Sequence, residues 1–158
     1  MLDSIEICYR FNETFQRTYA TQLCGGADEP LYLPPTHLKL GLIQYNRNFA
    51  ASALHEIAHW LIAGRRRRQL VDYGYAYQSE PRTNADQKRF YLYEARNQGL
   101  EKMLSQQCGN PFQVSVDNLL VGVDERNLFG DSVTTACRQW RERVLPIRVQ
   151  RMLCSLGE

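Results

Sequence analysis

Apolar residues recur at three- and four-residue steps in three stretches of the chain, which is the spacing of an amphipathic helix with one buried face. A stop signal follows each stretch: the pair Gly25-Gly26, the run that begins at Gly109, and Pro146. The three predicted helices are residues 4–23, 86–107 and 132–145, and a short piece reaching Leu156 follows the last of them.

A fourth helix is predicted over residues 48–63. This segment is rich in Ala and Leu, contains neither Pro nor Gly, and is followed by Gly64. Gly commonly stands just past a helix end because it tolerates left-handed backbone. The apolar residues on several sides of this helix predict that it is substantially buried.

Alternation of period two predicts a strand from Leu70 to Tyr77, with its tyrosines on one face. An irregular, proline-containing connection begins at Ala27 and leads to a short predicted strand before Tyr45; another short strand is predicted over residues 112–116. Helices dominate this pattern. We therefore predict an α+β fold, a helix-dominated single domain over residues 1–158 with a small sheet.

Composition adds limits to this fold. The 158 residues are 44% hydrophobic and 23% charged, as expected of one ordinary domain. A chain of this length can bury a core without a disulfide or a structural metal. A bound metal would therefore be expected to serve function.

Charge and cysteine usage exclude several classes of protein. Nineteen Lys and Arg against seventeen Asp and Glu leave a net charge of +2, too near balance for a general nucleic-acid binder. No stretch approaches the ~18 apolar residues of a membrane span. The five cysteines are odd in number and form no CxxC pair, which predicts reduced thiols in a cytosol.

The segment 55–59, HEIAH, is an HExxH motif inside the most regular predicted helix. Residues four apart lie on one helix face one turn apart, so the imidazoles of His55 and His59 can converge on one metal ion. Glu56 is rotated by about 100° from His55 and can approach water on the same ion. The alternative interpretation is a pair of ordinary histidines with hydrogen-bond partners.

Two nitrogens leave a divalent ion undercoordinated, and a carboxylate is the expected third ligand. Glu94 is preferred because it lies inside the predicted helix 86–107 and can point towards the helix that carries His55 and His59. Asp72 is the next choice and could instead hold a ligating histidine from behind. The candidates considered are Asp72, Glu80, Glu94, Glu101 and Asp117.

Several successive motifs resemble the elongation factor P hydroxylase family, in the same order along the chain. They are residues 28–34 (DEPLYLP), 51–60 (ASALHEIAHW), 62–64 (IAG), 70–75 (LVDYGY), 111–115 (PFQVS) and 117–119 (DNL). The resemblance runs from about residue 28 to residue 119 and is more specific than HExxH alone.

This resemblance implies an enzyme that hydroxylates the lysylated lysine of elongation factor P in the bacterial cytosol, with no direct contact to nucleic acid or membrane. It also implies a divalent metal held by His55, His59 and Glu94. From the HExxH helix itself we expect a zincin-like metal site of the gluzincin type. For hydroxylation the expected metal is iron, although zinc or manganese would bind such donors. Glu56 would then relay a proton or orient the oxygen species.

Two alternatives remain open on the residues alone. A gluzincin-type zinc metallopeptidase uses the same ligand set, with Glu56 deprotonating the attacking water. A non-catalytic binding module with a degenerate metal site is the third class, and the intact motif counts against it.

Substrate contacts are predicted around the motif. Arg65 and Arg66 begin a run of four arginines that either faces solvent or docks an acidic protein. Tyr73 and Tyr75 either pack on the core or wall a channel for the lysyl chain. The other candidate contacts are Asp72, and Asp117 with Asn118, which could bind an ammonium or make a turn.

Overall fold

The computed structural model describes residues 1–75, 84–116 and 123–158, which fold into five α-helices around a three-stranded sheet. This confirms a helix-dominated α+β fold. The helices are α1 (Ser4–Tyr19), α2 (Ala50–Ile62), α3 (Asn84–Gln107), α4 (Val123–Glu142) and α5 (Ile147–Gly157). The strands are β1 (Thr21–Ala27), β2 (Leu31–Leu33) and β3 (Gly41–Asn46).

The sheet has the order β1-β3-β2, with β1 parallel and β2 antiparallel to the central strand β3. Alternate residues of β3, among them Ile43 and Tyr45, are buried, as expected of a strand with one face on the core. The helix α1 packs on β1, and α2 packs on β3. The sheet therefore supports α2 through its central strand.

The core is centred on Trp60 of α2. The indole lies against Phe11 and Phe15 of α1, with ring centroids 5.2 and 5.0 Å apart. It is fully buried, as are both phenylalanines. These large aromatic contacts fix α2 against α1 and leave its opposite side to α3, which also packs on it.

The C-terminal end of α2 is held by two arginines. Arg148 of α5 donates to the carbonyl oxygens of Trp60 and Ala63 at 2.7 and 2.8 Å, and Arg68 donates to Ala63 at 2.7 Å. The last carbonyls of a helix lack partners within the helix, so these donors satisfy groups that would otherwise be unpaired. α2 is thus anchored at the end that follows the HExxH motif.

The helix predicted over residues 4–23 ends earlier than expected. Ala20 adopts a left-handed conformation, and the chain then enters β1, which was not predicted. Gly25, interpreted as a helix stop, lies in this strand, where a Cβ would come within 2.6 Å of the Tyr45 ring. The glycine permits close approach within a strand.

The strand predicted from Leu70 to Tyr77 is wrong for the residues that the structure describes. Val71–Gly74 forms a 3₁₀ turn, and Asp72, Tyr73 and Gly74 all have positive φ values, of 47, 58 and 69°. The strand predicted over residues 112–116 is also absent. Both backbone groups of Ser115 bond instead to the Gln98 side chain, at 2.7 and 3.0 Å.

The helix predictions fare better in the rest of the chain. The segments 48–63 and 86–107 correspond to α2 and α3, and Pro146 separates α4 from α5. α4 starts at Val123, nine residues before the predicted 132. Among the described residues no helix combines the length and the apolar character needed to cross a bilayer.

Candidate metal centre

The two histidines of the HExxH motif point their Nε2 atoms at each other from adjacent turns of α2. The Nε2 atoms of His55 and His59 are 3.1 Å apart, and the ring planes are inclined at 77°. Two ligand nitrogens about 2.1 Å from one ion lie about 3.0–3.4 Å apart in octahedral or tetrahedral geometry. The histidine pair therefore already has the spacing of a shared ion.

Glu94 of α3 brings a carboxylate to the same point. Its Oε1 lies 3.6 Å from His59 Nε2, and its Oε2 lies 4.0 Å from His55 Nε2. One ligand atom from each of the three residues falls within 4.8 Å of the others. His55, His59 and Glu94 could thus hold a metal ion, as the sequence predicted for this set.

The side chains of the centre are mostly buried, but each keeps some exposure to solvent. The side chains of His55, His59 and Glu94 are 26, 14 and 13% exposed. An ion held by them would therefore have protein on most sides and remain reachable from solvent.

A second carboxylate of α3 lies behind His55. Glu101 Oε2 is 2.8 Å from His55 Nδ1, on the opposite side of the ring from the Nε2 that faces His59. Glu101 was one of five candidates for the third ligand, and the structure places it against the far nitrogen instead. Asp72 was considered for a contact with the far nitrogen of a ligating histidine. At His55 the residue in that position is Glu101.

Asp72 has a different partner. Its Oδ1 accepts a hydrogen bond from the Tyr32 backbone N–H at 2.9 Å, which ties the 3₁₀ turn to β2. The Tyr32 and Tyr73 rings stack at 4.2 Å with planes inclined by 8°. These two contacts hold Asp72 and Tyr73 in their left-handed conformation.

Aromatic rings close one side of the centre. The ring centroids of Tyr73 and Tyr93 lie 6.4 and 5.8 Å from that of His59. Tyr75 packs on Tyr93 at 4.6 Å, with the Arg67 guanidinium 4.3 Å from its ring centroid. Tyr93 was missed as a neighbour of the site, although its position directly before Glu94 was a usable signal.

The pKa values of the two histidines are shifted in opposite directions. Burial lowers the pKa of His55, but the hydrogen bond and charge of Glu101, together with Glu56 and Glu94, outweigh it and raise the pKa to about 9. Burial and then the nearby His55 hold the pKa of His59 well below its usual range. The fold therefore keeps His59 neutral, the form that can bind a metal.

Glu56 carries the other strongly shifted pKa of the motif. Burial raises the pKa of its carboxyl to about 7; His55 opposes this, and Glu94, Glu101 and Asp72 add to it. A carboxyl with such a pKa can exchange a proton near neutral pH.

The arginine run divides into two pairs. Arg67 donates to the Tyr73 carbonyl oxygen at 3.1 Å, and Arg68 caps α2, so both serve the fold. Arg65 and Arg66 are exposed. The third histidine, His37, is exposed too. Four residues with predicted roles lie outside the described ones: Tyr77, Glu80, Asp117 and Asn118.

Comparison with known proteins identifies the family of this chain. The family described as elongation factor P hydroxylase matches residues 10–158. A protein of Haemophilus influenzae named elongation factor P lysine hydroxylase is 38% identical over 147 residues, which cover 92% of this chain and 83% of that protein. The match confirms the resemblance carried by the sequence motifs. The chain belongs to the elongation factor P hydroxylase family.

Proposed function

We propose that this protein is a metal-dependent hydroxylase of the lysylated lysine of elongation factor P, acting in the bacterial cytoplasm. The observation that carries the proposal is the convergence of His55, His59 and Glu94 in a member of this family. The name of the H. influenzae relative supports the same protein substrate.

Iron is the proposed native metal. Two imidazoles and one carboxylate with open positions are the donor set of non-haem iron oxygenases, whereas zinc has no redox chemistry. Zinc or manganese would be held by the same donors. When bound, iron supplies the activation of O₂.

The reaction replaces one C–H bond of the substrate side chain by C–OH. One oxygen atom of O₂ enters the product and the other leaves as water, which consumes two electrons and two protons. The electrons come from a donor outside this chain. Glu56 is proposed to move a proton, because the raised pKa of its carboxyl, about 7, allows it both to accept and to return one near neutral pH.

The residues around the centre are proposed to receive the substrate. Tyr73 and Tyr75 would wall the approach of the lysyl chain, and Asp72 would keep their turn in place through Tyr32. Arg65 and Arg66 would meet an acidic surface of the factor. Asp117 and Asn118 stay predictions for the substrate ammonium.

A zinc metallopeptidase remains the alternative for the same donors. There Glu56 would deprotonate a water that attacks a peptide bond, and a zincin-like arrangement around α2 would be shared by both functions. Family membership favours hydroxylation, because the relative is named a hydroxylase.

Intact-mass spectrometry of lysylated elongation factor P tests the proposal. The protein is loaded with Fe²⁺ without oxygen and then mixed with the factor, a chemical reductant and isotopically labelled O₂. We expect a gain of one labelled oxygen atom. Cleaved factor would support the peptidase instead, and an unchanged factor would leave a binding module.

Matched histidine variants connect the result to the site. His55→Ala, His59→Ala and Glu94→Ala should each abolish oxygen incorporation, because each removes a ligand. His37→Ala is the control: it removes the exposed third histidine and should leave the rate unchanged. Full activity of His55→Ala would exclude the metal assignment.

A further inference from the structure

Two carboxylates project from α3 towards the histidines of α2, from positions two turns apart along α3. Glu94 and Glu101 are seven residues apart, which is about two helical turns, so both lie on the same face of α3. Glu94 approaches the Nε2 atoms, and Glu101 contacts the far nitrogen of His55. The two acids thus meet opposite edges of one imidazole.

The contact of Glu101 is short and shielded. Its Oε2 lies 2.8 Å from His55 Nδ1, and its side chain is 8% exposed. A buried carboxylate is costly unless it is hydrogen-bonded, and a carboxylate beside an imidazole nitrogen keeps a proton on that nitrogen. When the ring carries a single proton, this contact places it on Nδ1, which leaves Nε2 as the nitrogen that can bind an ion shared with His59 and Glu94.

Two polar residues of α3 near Glu101, Gln98 and Glu94, have other positions or contacts. Gln98, three residues earlier, uses both ends of its amide on the backbone of Ser115. Glu94 lies on the other side of the imidazole. Among the described residues, Glu101 is the one that is placed to set the tautomer and orientation of His55.

We propose that Glu101 is a positioning residue that prepares His55 for metal binding and thereby sets the metal affinity of the centre. The proposal rests on the metal centre of the proposed function. The hydrogen bond directs Nδ1 towards Glu101, so that Nε2 is the nitrogen left to bind the ion, and it restricts rotation of the ring. The negative charge also offsets the charge of the ion.

Metal affinity tests this role without any need for substrate. Co²⁺ is titrated into the metal-free protein in competition with a chelator, and its visible spectrum reports the ligand set. Glu101→Leu should weaken Co²⁺ binding by about 10- to 100-fold, the usual effect of losing a partner behind a metal-bound histidine. Glu101→Gln keeps an oxygen that can accept from Nδ1–H and should recover most of that loss.

Ser105→Ala is the matched control. Ser105 is buried one turn further along α3, beyond the carboxylate that meets His55, so its loss should change Co²⁺ affinity less than twofold. If Glu101→Leu does not fold, Glu101→Gln still decides the matter through its spectrum, which should match that of the wild type.

The outcomes separate two failures. Wild-type protein that binds no Co²⁺ would overturn the metal centre itself. Wild-type binding with equal affinity in Glu101→Leu would overturn only the role of Glu101, and so would a Glu101→Gln variant that is as weak as Glu101→Leu or has an altered spectrum.

Discussion

Glu56 shows how strongly the fold acts on single residues of this centre. It follows His55 directly and lies within the influence of three further acids, which together with burial favour its protonated form. The ordinary pKa of a glutamate, 4.5 here, moves to about 7. Folding therefore favours a neutral Glu56, and each rise in pH through this range works against the folded state.

A Glu56→Gln variant should show this in the metal-free protein. The stability contributed by protonated Glu56 is present below pH 4.5 and is lost as pH rises through about 7. Gln imitates the neutral acid at every pH. The variant should therefore gain unfolding free energy relative to the wild type as pH rises across this window, and the gain should level off above it.

Urea unfolding at a series of pH values measures that difference. Glu13→Gln, an exposed position of α1, corrects for the general effect of removing one carboxylate. A difference between Glu56→Gln and the wild type that stays constant or shrinks with rising pH would contradict the burial argument.

The residues of the centre differ in how far the sequence predicted them. His55 and His59 follow from helical spacing alone, because four residues make one turn. Glu94 needed the expectation that α3 faces α2. Glu101 was considered only as a ligand, since the choice between the two nitrogens of His55 depends on the depth of helix packing, which spacing does not reveal.

At the scale of elements, two devices set the position of the helices that form the centre. Arg148 satisfies the last carbonyls of α2, and Gly99 lets α4 approach α3 closely. Burial lowers the pKa of Arg148 to about 10, which still leaves it charged at neutral pH. Each device suggests a substitution.

Arg148→Met should lower the free energy of unfolding by about 1–3 kcal/mol, because it leaves the Trp60 carbonyl without its donor. Arg151→Met is the control on the same helix, since Arg151 contacts Thr14 of α1 and not α2. Both variants are compared by urea unfolding and Co²⁺ affinity. Only Arg148→Met should weaken metal binding, and equal effects would contradict a link to α2.

Gly99→Ala should destabilise the protein despite the better helix propensity of Ala. The added Cβ would lie 2.7 Å from Ala136 Cβ and 2.8 Å from the Cys137 backbone nitrogen, so α4 must move. Such overpacking costs about 1–3 kcal/mol, against a propensity gain of about 1 kcal/mol.

Gly130→Ala gives the matched comparison within α4. No described atom lies within 4 Å of the position that its Cβ would take, so propensity alone should act and raise stability by about 0.5–1 kcal/mol. Thermal unfolding of both variants checks the pair. A Gly99→Ala variant that gains as much as Gly130→Ala would exclude a tight α3–α4 crossing.

Elements with a regular period and clear stop signals were predicted well, and those shaped by distant contacts were not. α2 and α3 follow from their own residues. The turn around Tyr73 imitates a strand by its alternation, but Asp72 bonds Tyr32 and Tyr73 stacks on it, forty residues away in sequence. Contacts at that separation leave no local pattern.

For the molecule as a whole, net charge says little about recognition, and the exposed pair Arg65 and Arg66 says more. The pair begins at the third residue after α2, the helix that carries both histidines. The change of Arg65 and Arg66 to Ser should reduce kcat/KM on the intact factor several-fold at low salt. The deficit should shrink as salt rises, because screening weakens steering.

Arg126 and Arg138, two exposed arginines of α4, provide the control. Their change to Ser removes the same charge elsewhere and should leave kcat/KM nearly unchanged. Rates are measured by mass spectrometry over a range of salt concentrations. Equal deficits in the two double variants would indicate a general effect of charge and no local docking surface.

The hydrogen bonds of Arg148 to the end of α2 also bear on the order in which the protein folds during synthesis. Arg148 follows Trp60 by 88 residues, so the ribosome completes the histidine helix long before the donor for its last carbonyls exists. Until α5 has emerged, the Trp60 carbonyl must rely on water. The helix that carries the metal ligands therefore reaches its final form only after α5 has been synthesised, so the centre depends on a segment that is made long after it.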